Sequence, residues 1–295
     1  MTQPDDILNE IIPVILAGGA GRRLRPLTSA KTPKPFLRLC SPHTLLQQTA
    51  LRVGAMQPPA VISVAPLRER IIADMSAIGI VPQQIFLEPE GRNTAPAVAV
   101  AAHYFAAAGK DPLLLVMPSD HAIKKPQALL DAVRAGAPLA RAGTFVLFGV
   151  RPLRPETGFG YIHRGAQVRP GIFSVTAFAE KPDAATARRY VSDGGYDWNS
   201  GIFLFSAATL LARLREIDPV LHENSYRAVA RASRLQNAIF LEKDSFGACP
   251  AESFDRAVME KAGNLAVVST DMEWRDLGRW PDLVRHVLRV GGVRR

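Results

Sequence analysis

The sequence predicts an α/β fold, a mostly parallel mixed sheet flanked by helices, with a smaller β-rich lobe in its second half. Three observations carry that prediction. Strand-length apolar runs alternate with helix-length runs over the first half of the chain, the pattern of βαβ units whose sheet is covered on both faces. Past about residue 150 the pattern turns to hairpin-like segments. Hydrophobic residues make up 47% of the 295 residues, enough for a single large core.

Taken in order, IIPVILA (11–17) is a β-branched run of strand length, and SPHTLLQQTALRVGAM (41–56) is a helical pattern. AVISVA (60–65), QIFLEPE (84–90), PLLLVMPSD (112–120) and TFVLFGV (144–150) read as further buried strands. Between them LRERIIADMSAIG (67–79), TAPAVAVAAHYFAAAG (94–109) and PQALLDAVRAGAPLA (126–140) read as helices. Ligands of such sheets bind outside the carboxyl ends of the strands, and AGGAGRR, EPEGRNTAP and PSDH all fall at such ends. RPLRPETGFGYIHRG (151–165) and VTAFAEKP (175–182) are hairpin material, and DWNSGIFLFSA (197–207) is a strand ahead of the helical ATLLARLREI. These suggest an insertion or half-domain packed against the sheet's edge, with one last strand-like segment, NLAVVSTDMEWRDLG (264–278), returning to the site. No Ser/Gly linker, low-complexity tract or repeat interrupts the chain, so one domain with two lobes is expected.

Charge narrows the function. The net charge is +9, and between Ile11 and Arg68 there is no Asp or Glu, while Arg22, Arg23, Arg25, Lys31, Lys34, Arg38, Arg52 and Arg68 are cationic. A nucleic-acid groove needs a basic stripe with stacking aromatics, yet aromatic content is 7% and residues 11–35 contain none. The excess lies beside a glycine loop, LAGGAGRRLRPLTSAKTPK (16–34), which points to small phosphorylated ligands and away from nucleic acid. The acidic start, MTQPDDILNEII, lacks the basic region of a secretory leader, and no apolar run is long enough to span a bilayer. Cys40 and Cys249 have no CxxC spacing and are expected to be small buried hydrophobes in a reducing cytoplasm.

Two phosphate motifs are excluded. GxxxxGK[ST] is absent, and Gly19-Ala20-Gly21-Arg22-Arg23-Leu24 lacks the third glycine of a dinucleotide fingerprint, with no acidic residue some twenty positions on. What remains is a loop whose backbone N–H groups can approach a triphosphate because Gly18, Gly19 and Gly21 have no side chains, with Arg23 and Lys34 reaching in.

LAGGAGRRLRPLT…TPKP resembles the signature of the sugar-1-phosphate nucleotidyltransferases. EPEGRNTAPA (88–97), MPSDH (117–121), TGFGYI (157–162), FAEKP (178–182), WNSGIFLF (198–205), ESFDRAVMEK (252–261) and WRDLG (274–278) resemble successive motifs of its mannose-1-phosphate guanylyltransferase branch. The resemblance runs over about residues 11 to 285. It implies a Rossmann-like fold of the nucleotide-diphospho-sugar transferase type, with a nucleotide-binding lobe over about 11–150, a sugar-binding lobe over about 151–263 and a closing segment over about 264–295.

The activity implied is transfer of GMP from GTP to mannose 1-phosphate, giving GDP-mannose and pyrophosphate by in-line attack at the α-phosphate. In that reading Ala17, Gly18, Gly19 and Gly21 cradle the nucleotide, Arg23 binds the leaving pyrophosphate and Lys34 neutralises the α-phosphate. Asp120 and Asp276 hold Mg²⁺. Glu88, Arg92, Asn93 and Thr94 face guanine, although Asn93 or Thr94 ahead of Pro96 also suits a helix cap. Gly160, Glu180, Lys181 and Asn199 take the sugar and its phosphate. His121 is expected to support or pack rather than ligate, His103 to be a core histidine, and Asp255, Glu260 and Lys261 have no derivable role.

Three positions depart from the pattern. Arg22 stands where the family often has Thr, Arg25 where the mannose branch often has Trp, and Lys34-Pro35 where that branch commonly has Lys-Gln. They bear on sugar and base, so UTP or dTTP with glucose 1-phosphate stays open, as does a catalytically silent nucleotide-binding module. The chain runs little beyond WRDLG, so a β-helical or cupin extension and an isomerase activity are not expected, and a homodimer is compatible with the sequence.

Overall fold

The computed structural model describes residues 7–19, 21–109 and 111–291; the first six residues, on which the expectation of no leader partly rests, and Ala20 of the glycine loop lie outside them. The first half alternates as its pattern predicts. β1 (Ile11–Leu16) is followed by α1 (Leu45–Arg52), which starts where Thr44 and Gln47 exchange side-chain and backbone hydrogen bonds in a capping box. Then come β2 (Ala60–Val64), α2 (Arg68–Ser76), β3 (Gln84–Glu88), α3 (Thr94–Ala106), β4 (Leu113–Pro118), the short β5 (His121–Ile123), α4 (Pro126–Arg141) and β6 (Phe145–Val150).

The hairpin predicted after residue 150 is β7 (Gly160–Arg169) and β8 (Ile172–Glu180). α5 (Ala184–Asp193), β9 (Tyr196–Ser206), α6 (Ala207–Ile217), α7 (Pro219–Ala230), β10 (Ser233–Leu235), β11 (Ala238–Phe240) and α8 (Lys243–Gly247) follow. A π-turn at Asp255–Met259 leads into β12 (Leu265–Ser269), β13 (Trp274–Asp276) and α9 (Trp280–Gly291). The segment 264–278, expected as one strand, is thus two strands in different sheets, separated by a bend in which Glu273 has φ +49°.

The main sheet runs β10-β11-β3-β2-β1-β4-β9-β6-β12-β8-β7, with β10, β9 and β8 antiparallel to the other strands. The second-half strands are therefore not stacked on an edge: β9 lies between β4 and β6, and β12 between β6 and β8. β7 also pairs with the start of β9, so β9, β6, β12, β8 and β7 close into a ring of pairings. Two apolar layers cover the sheet, one with Leu46, Ile71 and Val133 of α1, α2 and α4, the other with Val98, Leu210 and Leu221 of α3, α6 and α7. Among the described residues no helix is long and apolar enough to cross a membrane.

Cys249 is buried as expected, and burial pushes its thiol up to about 11. Cys40 is exposed, in a left-handed turn at φ +54°, because the loop between Lys34 and α1 has no strand or helix to pack it under. His103 is a core residue whose Nε2 hydrogen-bonds the His222 carbonyl at 3.0 Å.

Candidate active site

The glycine loop leaves β1 pinned to its neighbour. Ala17 N–H donates to Ile62 O at 2.8 Å and Ser63 Oγ donates to Ala17 O at 2.9 Å, so Ala17 is buried and fixed. Gly18 and Gly19 then line a cavity, and a Cβ at Gly19 would meet only open space. Gly21 is required twice over: its φ is +65°, and a Cβ there would lie 2.8 Å from Lys34 Cβ and 2.9 Å from Thr28 Cγ2. Thr28, the last residue of the LAGGAGRRLRPLT motif, closes the loop by donating from Oγ1 to Gly21 O at 2.8 Å.

Beneath this loop lies Lys34, its side chain 4% exposed. Its Nζ donates to Asp120 Oδ2 at 2.7 Å and stands 3.6 Å from Asp276 Oδ1. The carboxylates come from distant segments, Asp120 from the turn after β4 and Asp276 from the end of β13. The antiparallel pairing of β5 with β13, which sets His121 opposite Asp276, brings them together. Trp274 Nε1–H donates to His121 Nδ1 at 3.1 Å, so in the neutral ring the proton sits on Nε2, which faces both carboxylates at 3.9 Å. Burial holds His121 below its ordinary range despite Asp120 and Asp276. Burial alone would raise Asp120, but Lys34 and His121 outweigh it and hold that carboxyl below the usual range.

Asp120 and Asp276 are about one quarter exposed, and among the described residues no group of three or more His, Cys, Asp or Glu could cage a metal. Two hard carboxylates at a cavity wall, already gathered around a cation, fit Mg²⁺, which completes its octahedron with phosphate oxygens and water. Arg52, unforeseen as a site residue, is buried behind them; its Nη2 donates to His121 O at 3.2 Å, and burial lowers its pKa to about 10.

Two cavities meet at this junction. The first, about 280 Å³, is lined by Gly18, Gly19, Glu88, Asn93, Thr94 and Asp120. Glu88 is 5% exposed, its Oε1 has no partner among the described residues, and burial pushes it up to about 8. Asn93 Oδ1 caps α3 by accepting from Thr94 N–H at 3.0 Å, so the capping alternative is realised at the cavity wall. Arg92, grouped with these residues by sequence, is not among the lining residues: its Nε donates to Glu90 Oε1 at 2.8 Å and its Nη1 to Cys249 O at 3.4 Å.

The second cavity, about 340 Å³, is lined by Arg23, Gly160, Glu180, Lys181, Asn199, Asp255 and Asp276 among others. A bulge in β9 aims Asn199 inward: Leu147 pairs with Phe203 but Gly149 with Asn199, and Gly201 takes φ +69°. Glu180 forms an ion pair with Lys181, whose side chain is 56% exposed. Gly160 is a glycine for its neighbours, since a Cβ would lie 2.7 Å from Glu180 Oε2 and 3.3 Å from Asn199 Cβ. Arg23 is exposed at the cavity wall. Asp255 joins the group by accepting from Asn199 Nδ2 at 2.6 Å; its only signal in the sequence was the motif ESFDRAVMEK. Glu260 and Lys261 of that motif are exposed and line neither cavity.

Comparison with known proteins agrees in extent with this geometry. The nucleotidyl transferase family profile matches residues 12–290. The xanthan biosynthesis protein XanB of Xanthomonas campestris is 44% identical over 279 residues, covering 94% of this chain and 59% of that protein. Mannose-1-phosphate guanylyltransferase 2 of Escherichia coli O157:H7 is 41% identical over 285 residues, covering 92% and 59%. The chain thus spans about three fifths of the length of these curated relatives. A crystal structure described as mannose-1-phosphate geranyltransferase from Thermus thermophilus superposes with a TM-score of 0.82 at 33% identity, over 96% of this chain and 79% of that one. The match takes in the glycine loop, the paired carboxylates and the strand-borne wall of the second cavity alike, and the chain belongs to the nucleotidyl transferase family.

Proposed function

We propose that the protein transfers GMP from GTP to mannose 1-phosphate, forming GDP-mannose and pyrophosphate. One observation carries the reading: Lys34 is a buried ammonium between Asp120, which lines one cavity, and Asp276, which lines the other. Two polyanions that must react need charge neutralised where they meet, and this is the junction at which such neutralisation is built. The name of the Escherichia coli relative supports the choice of sugar and base.

A phosphate oxygen of mannose 1-phosphate attacks the α-phosphorus of GTP in line, and the bond to the β-phosphate breaks to release pyrophosphate. Gly18, Gly19 and Gly21 leave the backbone free to approach the triphosphate, and Arg23 at the rim meets the departing pyrophosphate. Lys34 neutralises the α-phosphate and keeps Asp120 and Asp276 in register. Mg²⁺ bound by these two carboxylates would supply charge neutralisation and hold the phosphate oxygens in place. Asn93 and Thr94 frame the base, and the buried Glu88 carboxyl, whose Oε1 has no partner among the described residues, faces guanine. Glu180 and Asn199 bind hexose hydroxyls, and Lys181 reaches the sugar phosphate. Such a reaction belongs in the cytoplasm, where nucleoside triphosphates are made.

The test is pyrophosphate release with Mg²⁺ from GTP, ATP, UTP, CTP and dTTP, each with mannose 1-phosphate and with glucose 1-phosphate. Preference for GTP with mannose 1-phosphate is expected. Turnover of UTP or dTTP with glucose 1-phosphate instead would keep the mechanism and overturn the specificity, and no turnover with any pair would favour a silent nucleotide-binding module.

A further inference from the structure

We infer that Asp255 contacts the sugar and determines specificity: with Glu180 and Asn199 it forms an acidic wall that takes the hydroxyl donors of a neutral hexose and turns away a hexuronic acid. The inference rests on the proposed sugar 1-phosphate reading of the second cavity.

The first argument is chemical. Asn199 is held at both ends, its Oδ1 accepting from Gly201 N–H at 3.0 Å and its Nδ2 donating to Asp255 Oδ1 at 2.6 Å. The amide orientation is thereby fixed, and Asp255, whose carboxylate also accepts from its own backbone N–H, keeps acceptor capacity toward the cavity. Glu180 lies close enough to raise the pKa of Asp255. An ionised carboxylate only accepts, so a ligand that completes this wall must bring O–H or N–H donors. A hexose presents a row of them. A hexuronate would add a third carboxylate against two; the cations at this cavity, Lys181 already paired with Glu180 and the exposed Arg23 at the wall, are those the substrate phosphates call on.

The second argument is positional. Asp255 opens the π-turn of residues 255–259, an irregularity that recurs at functional sites. The residues before it are tied to the first turn of α3: Ala95 N–H donates to Glu252 O at 3.1 Å and Phe254 N–H donates to Thr94 Oγ1 at 2.8 Å. The carboxylate is thus carried by a braced segment, as a group that reads stereochemistry requires.

Burial, and then Glu180, push Asp255 up to about 6. Among the described residues the charged groups that act on it are Glu180, at the end of β8, and Lys181, the residue after it, and Arg23 and Asp276 line the same cavity. Below that pH Asp255 takes up a proton and ceases to be a pure acceptor.

The experiment compares wild type with Asp255→Asn, which keeps the shape, and Asp255→Ala, using whichever nucleotide and sugar 1-phosphate turn over. We expect KM for the sugar 1-phosphate to rise roughly tenfold or more in Asp255→Asn while KM for the nucleotide stays within about twofold. Wild type should prefer mannose 1-phosphate to mannuronic acid 1-phosphate, and Asp255→Asn should narrow that preference. An unchanged sugar KM, an equal rise in nucleotide KM, or an unchanged preference would overturn the inference. If neither variant folds, wild type decides alone, since equal use of the neutral and acidic sugar phosphates overturns it. If no pair turns over, the proposed reaction fails separately; calorimetry of mannose 1-phosphate then decides, with binding lost in Asp255→Asn supporting the inference and equal binding, or none by wild type, overturning it.

Discussion

The two cavities that meet at Asp120 and Asp276 are built by opposite means. Under the glycine loop one side of the wall is bare backbone, with side chains removed at Gly18 and Gly19, one buried ammonium behind, and Glu88, Asn93, Thr94 and Asp120 around the rest. Along β7, β8 and β9 the wall is side chain, with Glu180, Asn199 and Asp255 carried on strands and a π-turn, and Gly160 kept bare to make room for them. The difference matches what the proposed reaction would ask of each. A phosphate chain is the same in every nucleotide, so N–H groups and a cation suffice, whereas a sugar is identified by its hydroxyls, which placed hydrogen-bonding side chains read.

Removing the junction should abolish both halves at once. Asp120→Ala is expected to lower turnover by roughly a thousandfold or more, measured as pyrophosphate release, and chelation with EDTA to do the same to wild type. Turnover within about tenfold of wild type would show that the cavities do not share a reacting centre there. Lys34→Met should cost roughly a hundredfold and leave two facing carboxylates unneutralised. Its thermal midpoint should therefore fall in EDTA and recover on adding Mg²⁺, a readout of the metal site that needs no catalysis.

Glu88→Gln sharpens the contrast from the nucleotide side. KM for GTP should rise roughly tenfold with KM for the sugar phosphate unchanged. Because burial raises Glu88 from 4.5 to about 8, the folded chain holds a proton that the unfolded chain has released in that window. Wild-type stability should therefore fall as pH rises from about 5 to about 8, and Glu88→Gln should remove its share of that slope in urea unfolding. The smallest effects belong to the glycines. Gly21→Ala should destabilise by about 1–2 kcal/mol and raise nucleotide KM, because φ +65° and Lys34 both resist a Cβ. Gly160→Ala should displace Glu180 and raise sugar KM several-fold, with nucleotide KM the control.

What the sequence made legible follows from locality. The glycine loop, Lys34, Asp120 and Asp276 sit in contiguous motifs at strand ends, where a parallel sheet collects its ligands. The insertion of β9 and β12 into the sheet was not legible, because strand order is decided by pairings between segments up to about 120 residues apart rather than by any run of residues. Arg92 departs from its expected place because Glu90, two residues earlier, and the Cys249 carbonyl draw its guanidinium off the cavity. Asp255 was visible only as a motif member, since its place at the cavity depends on Asn199 meeting it across 56 residues. Cys40 has the composition of a buried hydrophobe, but its turn leaves it in solvent.

The place of β12 in the ring of strands sets a condition on biogenesis. While the ribosome has delivered only the first 260 or so residues, β6 and β8 each present an unpaired edge, and the strand that joins them is still to come. The half of the sheet that carries Glu180 and Asn199 can close only when residues 265–269 slide between those edges. A nascent chain stalled short of that point therefore carries two adhesive borders open to pairing with other chains.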